Sequence, residues 1–133
     1  MRRNLAIFLL VSAGLLLASP YVLAHHSQSG EFDNSKPLEF TGTVKGIDWT
    51  NPHGYVRVEV KDASGKVSLY KVEIMAPNGL YRNGWRKDSL KVGTVVMFKG
   101  VRARNPESLN VSGRLFVDGK AMFQGTGPEA ASN

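Results

Sequence analysis

The chain has 133 residues, 42% of them hydrophobic and 21% charged, with a formal net charge of +6, 14 Gly, 6 Pro and no Cys. That length holds one small domain, and the mixture of charged residues with Val, Phe, Leu and Tyr excludes a disordered or collagen-like chain. The lack of Cys excludes a disulfide scaffold, an iron–sulfur site, a thiolate zinc site, a cysteine nucleophile and a lipid-anchored Cys at a signal cleavage site.

Arg2 and Arg3 open the chain with positive charge, and an apolar run from Leu5 to Ala18 follows, broken only by Ser12. Pro20 ends the run, and Val22-Leu23-Ala24 offers the small or apolar residues a signal peptidase reads. This three-part pattern predicts a cleavable secretory signal over residues 1–24. The run is too short for the roughly 20 residues of a membrane-spanning helix, so no stable membrane insertion is expected after cleavage. Removing 24 residues, two of them Arg, leaves 109 residues with 15 Lys and Arg against 11 Asp and Glu, a net +4. Spread along the chain, that charge favours solubility and is not a nucleic-acid footprint. A periplasmic or secreted location is expected.

Residues 25–37 read as a polar, irregular arm. Leu38 to Trp49 is the first strand: Leu38, Phe40, Gly42 and Val44 alternate in one phase, then Ile47 and Trp49 in the other. A phase change at Gly46 predicts a β-bulge, because one extra residue swaps the faces. Thr50-Asn51-Pro52-His53-Gly54 is a loop by composition. In the second strand, Tyr55 to Val60, Val56, Val58 and Val60 share a face. Asp62-Ala63-Ser64-Gly65-Lys66 makes a hairpin connection to the third strand, Val67 to Ile74, with Tyr70, Val72 and Ile74 inward.

Pro77 opens a short helix that Gly84 ends. Val95 to Ala103 is a nearly continuous apolar strand, and Arg104 to Asn110 is a polar connection. Leu115 to Phe123 is the last strand region, broken as a hairpin at Asp118-Gly119. Residues 124–133 form a small-residue tail expected to be disordered. The order predicts an all-β domain over residues 38–123: a small five-stranded antiparallel barrel of oligonucleotide/oligosaccharide-binding (OB) type, with one short helix between strands three and four. Phe40, Val44, Val56, Val58, Val60, Val72, Ile74, Val96, Phe98 and Leu115 are its expected core.

The three histidines carry the main chemical signal. Cleavage after Ala24 would make His25 the first residue, so its α-amine joins its imidazole in one chelate ring. That nitrogen set suits Cu(II), which heads the divalent affinity order. His26 adds a second imidazole. His53 lies in the loop between strands one and two, a ligand-side loop in such barrels. The eleven residues Ser27 to Pro37, at about 3.3 Å each, can return the amino end to that loop. The bland alternative is a solvated amino-terminal tail and a turn histidine.

Other candidates are weaker. Glu31, Asp33 and Asp48 could add carboxylates, but loop acids are usually solvated. Met75, Met97 and Met122 could bind Cu(I), but Met on apolar strands usually fills the core. Trp49, Tyr55, Tyr81 and Trp85 could line a groove or, for Trp49, cover one end of the barrel. Arg82, Arg86 and Lys87 read as a solvated basic face. No Ser/His/Asp order, Gly-rich phosphate loop or HExxH motif is present, and no catalytic residue is assigned.

His25-His26-Ser27, Phe32-Asp33, Gly42-Thr43-Val44, Trp49-Thr50-Asn51-Pro52-His53, Pro77-Asn78-Gly79-Leu80, Gly84-Trp85 and Leu90-Lys91-Val92-Gly93 together resemble an exported bacterial family of unknown function, domain of unknown function 6152. The resemblance runs from about His25 to Phe123. It implies a secreted or periplasmic single domain and brings no activity. It marks the His-His-Ser start and the Asn-Pro-His loop as recurring pieces, which correspond to His25, His26 and His53. Gly54-Tyr55 departs from it, since a bulkier residue is expected directly after the loop histidine.

The leading expectation is therefore an exported, non-enzymatic module that binds a metal ion, copper above all, through His25, His26 and His53. The alternative is a metal-free periplasmic adaptor for a partner protein or a glycan on the barrel face. An oxygen-activating copper enzyme with an N-terminal brace ranks lowest, because Trp49 and Tyr55 are the only substrate platform in view.

Overall fold

The computed structural model describes residues 30–125 and 127. Contacts divide the chain into a unit Met1–Glu31 and a unit Phe32–Asn133; the second carries every strand described. The expected signal segment and residues 25–29, His25 and His26 among them, lie outside the described residues.

The unit contains β1 (Phe32–Asp48), β2 (Gly54–Lys61), β3 (Val67–Ile74), the helix α1 (Pro77–Arg82), β4 (Val95–Ala103), β5 (Asn110–Val117) and β6 (Lys120–Met122). β1 pairs antiparallel with both β2 and β4, β2 with β3, and β4 with β5. A short parallel ladder, Lys71 with Asn110, Val72 with Val111 and Glu73 with Ser112, joins β3 to β5. The sheet thus closes on itself in the order β1-β2-β3-β5-β4. This is the all-β class expected, with the short helix between the third and fourth strands, and one parallel seam in an otherwise antiparallel ring.

One strand, β1, serves both halves of the ring. Its first part pairs with β4 and its last part with β2, and the register slips between Val44 and Gly46. The extra residue there is Lys45, which is exposed, while Val44 is fully buried. The bulge lets Val44 and Ile47 both face inward although their parities differ. β1 also begins at Phe32, not at Leu38. Phe32 pairs with Ala103, and Pro37 resumes the pairing with Val101 after a second irregularity. Phe32 is 4% exposed, so half of the expected arm is strand, anchored by one aromatic side chain. The polar run Asp33-Asn34-Ser35-Lys36 hid this strand in the sequence.

Two hairpins have the expected turns. Asp118 and Gly119 both have positive φ, 49° and 78°, which matches the twist of the flanking β5 and β6. β5 starts at Asn110, five residues before the Leu115 expected, because Ser112 and Gly113 break the apolar alternation while their backbone still completes the ladder.

The core combines Val44, Val56, Val58, Val72, Val96, Phe98, Val111 and Leu115 from the strands with Leu80, Trp85, Leu90 and Phe123. Of the expected core residues, Phe40, Val60 and Ile74 are partly buried and pack against this cluster. Phe40 stacks between Tyr70 and Phe98, with ring centroids 4.6 and 4.7 Å away. β4 is not uniformly buried: Val96 and Phe98 point in, while Val95 and Met97 are exposed. Met97 and Met75 are therefore not core filler; only Met122 among the three candidate methionines packs against the core.

α1 positions the largest core side chain by its C-terminus. Gly84 has φ +78°, so the chain turns left-handed after the helix. Gly84 N donates to Tyr81 O and Trp85 N to Leu80 O at 2.9 Å, the paired bonds of a Schellman cap. The turn drops Trp85 into the core beside Leu80. Trp85 Nε1 donates to Gly125 O at 3.2 Å, and Gly127 N donates to Asn83 O. The first residues after β6 thus pack against the helix end; residues 126 and 128–133 are not described.

Candidate functional site

The loop Trp49–His53 joins β1 to β2, and its geometry follows from the strands it connects. Thr50 Oγ1 donates to His53 O at 2.9 Å, closing the loop on itself. The Asn51–Pro52 peptide is cis. Gly54 is buried; a Cβ there would sit 3.1 Å from Asp48 O and 3.1 Å from Ile74 Cγ1. The absence of a side chain at Gly54, the departure noted in the sequence, lets the loop close down on β1 and β3.

His53 is held from the side by a residue the sequence reading missed. Its Nδ1 lies 3.1 Å from Glu73 Oε1. The imidazole is 41% exposed, while the Glu73 side chain is only 7% exposed. Glu73 lies on the nominally solvent-facing side of β3, opposite Tyr55 on β2 and beside Ser112 on β5. The ring closure through β5 shields this position. The carboxylate thus stands against the Nδ1 side of a partly exposed imidazole. Carboxylate-oriented imidazoles of this kind are the usual form of a metal-binding histidine. A signal for Glu73 did exist in the sequence. The hairpin turn Asp62–Lys66 fixes a register in which Glu73 faces Tyr55, which brings it diagonally next to His53.

The other candidates separate from His53. Asp48 pairs with Arg57, Nε to Oδ1 3.2 Å; the buried Nε–H has no well-aligned acceptor, so this is an ion pair more than a hydrogen bond. Asp33 accepts from Ser35 Oγ at 2.7 Å and pairs with Lys36 at 3.5 Å. The Ser35 hydroxyl, followed by the Ser35 backbone N–H, holds its carboxyl below the usual aspartate range. Glu31 is exposed at the edge of the unit. Among the described residues no group of three or more His, Cys, Asp or Glu gathers.

The aromatic candidates divide by role. Trp49 meets Tyr81 edge-on at 5.6 Å and Phe123 at 6.3 Å, covering one end of the ring next to Trp85. Its buried Nε1–H finds no acceptor among the described residues. Tyr55 lies on the outer face with Lys71 Nζ 5.2 Å from its ring centre. Arg86 donates to Tyr81 O and Trp85 O and lies over the Tyr81 ring, so it ties down the end of α1 while Arg82 and Lys87 are exposed.

No curated protein and no solved structure matches the chain. A family match runs from within the N-terminal apolar run to Ser112 in β5, starting earlier and ending earlier than the resemblance read from the motifs, and it takes in His25, His26 and His53. On that match, over residues 13–112, the chain belongs to the family of unknown function DUF6152.

Proposed function

We propose that the protein is an exported, periplasmic or secreted module that carries or buffers copper, with His25 (by its free amine and its ring), His26 and His53 as ligands. The observation that carries the reading is the His53–Glu73 pair: a largely buried carboxylate orients an accessible imidazole through Nδ1.

Calorimetric titration of the chain beginning at His25 tests the reading. The expected result is one Cu(II) per chain, with His53→Ala weakening the affinity by about tenfold or more and leaving the melting temperature unchanged. An extra residue before His25 also weakens binding, by moving the amine out of the chelate ring. No uptake at neutral pH, or a His53→Ala protein that binds as tightly as the parent, overturns it. The adaptor reading would then lead, supported by the apolar side chains of Val95 and Met97 on the outer face of β4.

A further inference from the structure

We infer that the first half of β3 is an open sheet edge that takes up an extended, acidic peptide segment of a partner protein as an added strand. The inference stands whether or not the protein binds copper. β3 pairs with β2 along its whole length, but with β5 only from Lys71 to Glu73. Two hydrogen bonds fix which backbone groups face which neighbour. Asp62 N donates to Lys66 O at 3.0 Å on the β2 side, and Lys71 N donates to Leu109 O at 3.0 Å on the β5 side. Alternation then turns the N–H and C=O of Val67 and Leu69 to the β5 side, where no described strand lies across from them.

The stretch Val67-Ser68-Leu69-Tyr70 has none of the devices that usually blunt an edge: no charge, no Pro and no bulge. Val67 is 54% and Leu69 41% exposed, both on the face opposite the buried Val72, and Leu109, 39% exposed, stands where β5 begins. An incoming strand meets free backbone donors and acceptors with two apolar side chains beside them, the pairing by which sheet edges capture peptides. Charge selects the occupant. Lys61 and Lys71 are exposed on that same face at the two ends of the stretch, Lys61 opposite Val67 and Lys71 one step beyond Leu69. The neighbouring acids are already engaged: Glu59 pairs with Lys45 at 3.5 Å, and Asp62 Oδ1 accepts from the Ser64 and Lys66 N–H groups. A second copy fits badly, because antiparallel self-pairing carries the Lys71 of each copy toward the Lys61 of the other. A segment with acidic residues flanking apolar ones meets both lysines and both apolar side chains.

Fluorescence anisotropy with the chain beginning at His25 tests this, using two labelled short peptides of alternating Val and Thr, one with Glu at each end and one with Lys at each end. The Glu-ended peptide is expected to bind more tightly than the Lys-ended one by about tenfold or more. Leu69→Pro removes an edge N–H at a position where an edge strand tolerates Pro, and is expected to weaken that binding by about tenfold or more with an unchanged unfolding curve. Lys71→Glu, across from Arg57, is expected to bring the two peptides within about twofold of each other. Met97→Thr, comparably exposed but on a strand paired on both sides, is expected to change neither affinity. Binding of neither peptide, equal binding of both, or a folded Leu69→Pro protein that binds as the parent does overturns the inference. Should Leu69→Pro fail to fold, Lys71→Glu decides, and an undiminished preference for the Glu-ended peptide overturns it. Sedimentation that shows a dimer of the parent, dissolved by Leu69→Pro, also overturns it, because the occupant of the edge is then a second copy.

Discussion

The two ends of β2 are built on different principles. At one end, Asp62–Lys66 is held by its own side chains. Asp62 Oδ1 accepts from Ser64 N at 2.9 Å, from Ser64 Oγ at 2.6 Å and from Lys66 N at 3.0 Å. Asp62 N and Lys66 O close the hairpin, and Gly65 takes the positive φ the turn needs. At the other end, the Trp49–His53 loop depends on distant parts of the chain. Trp49 rests on Tyr81 and Phe123, and His53 on Glu73. The self-contained turn spends its polar groups on itself and keeps none for a ligand. The loop held from outside rests its part-exposed imidazole on a carboxylate of another strand. Support from outside makes the placement of that side chain depend on the fold.

The comparison has a common dependency that can be broken first. Val58 is fully buried at the centre of β2, between the two ends. A carboxylate there has no partner in an apolar core, and its burial costs more than a domain stabilised by about 5–15 kcal/mol can absorb. Val58→Asp is expected to abolish the cooperative melt and the β circular-dichroism signal together. A variant that melts like the parent would show that this strand face is misplaced.

A smaller change separates the ends. Glu73→Gln keeps the shape but removes the charge that orients His53. Loss of an outer-shell partner of this kind typically costs about 10–100-fold in metal affinity. The expected outcome is weaker Cu(II) binding at an unchanged melting temperature, read by titration and by thermal denaturation of the same sample. A change in melting temperature with intact affinity would instead make Glu73 a purely structural partner.

The smallest effect lies at the self-contained turn. The Ser64 hydroxyl, with the backbone N–H groups of Lys66 and Ser64, holds the Asp62 carboxyl below its ordinary value of 3.8. A depressed carboxylate stabilises the fold above that value, and the contribution is lost as pH falls through the lower folded-state value. Asp62→Asn should therefore melt slightly below the parent at neutral pH, with the gap closing under acid conditions below 3.8. Copper affinity should not respond, because the turn lies at the far end of the hairpin. A gap that widens on acidification would reverse the sign and discard this account of the turn.

The sequence by itself determined the inward faces of β2 and β3, the bulge, the helix and both tight turns, since each rests on local chemistry. Alternating Val56 and Val58, the phase change near Gly46, Pro77 with Gly84, and Asp118-Gly119 all act within a few residues of themselves. It also singled out His53, because a histidine in a loop after a strand is visible without any partner. Only the tertiary structure decided what surrounds it. The closure of β3 on β5 turned an apparently solvent-facing Glu73 into a shielded carboxylate. The strand character of Phe32–Pro37 was invisible for the same reason: its hydrogen bonds go to β4, some 70 residues away, and its polar side chains carry no apolar period. Met97 and Met122, alike in the sequence, became different only when register turned one outward, across from Thr41, and packed the other against the core. Periodicity records which face of an element is apolar, and pairing between remote strands decides which polar groups meet.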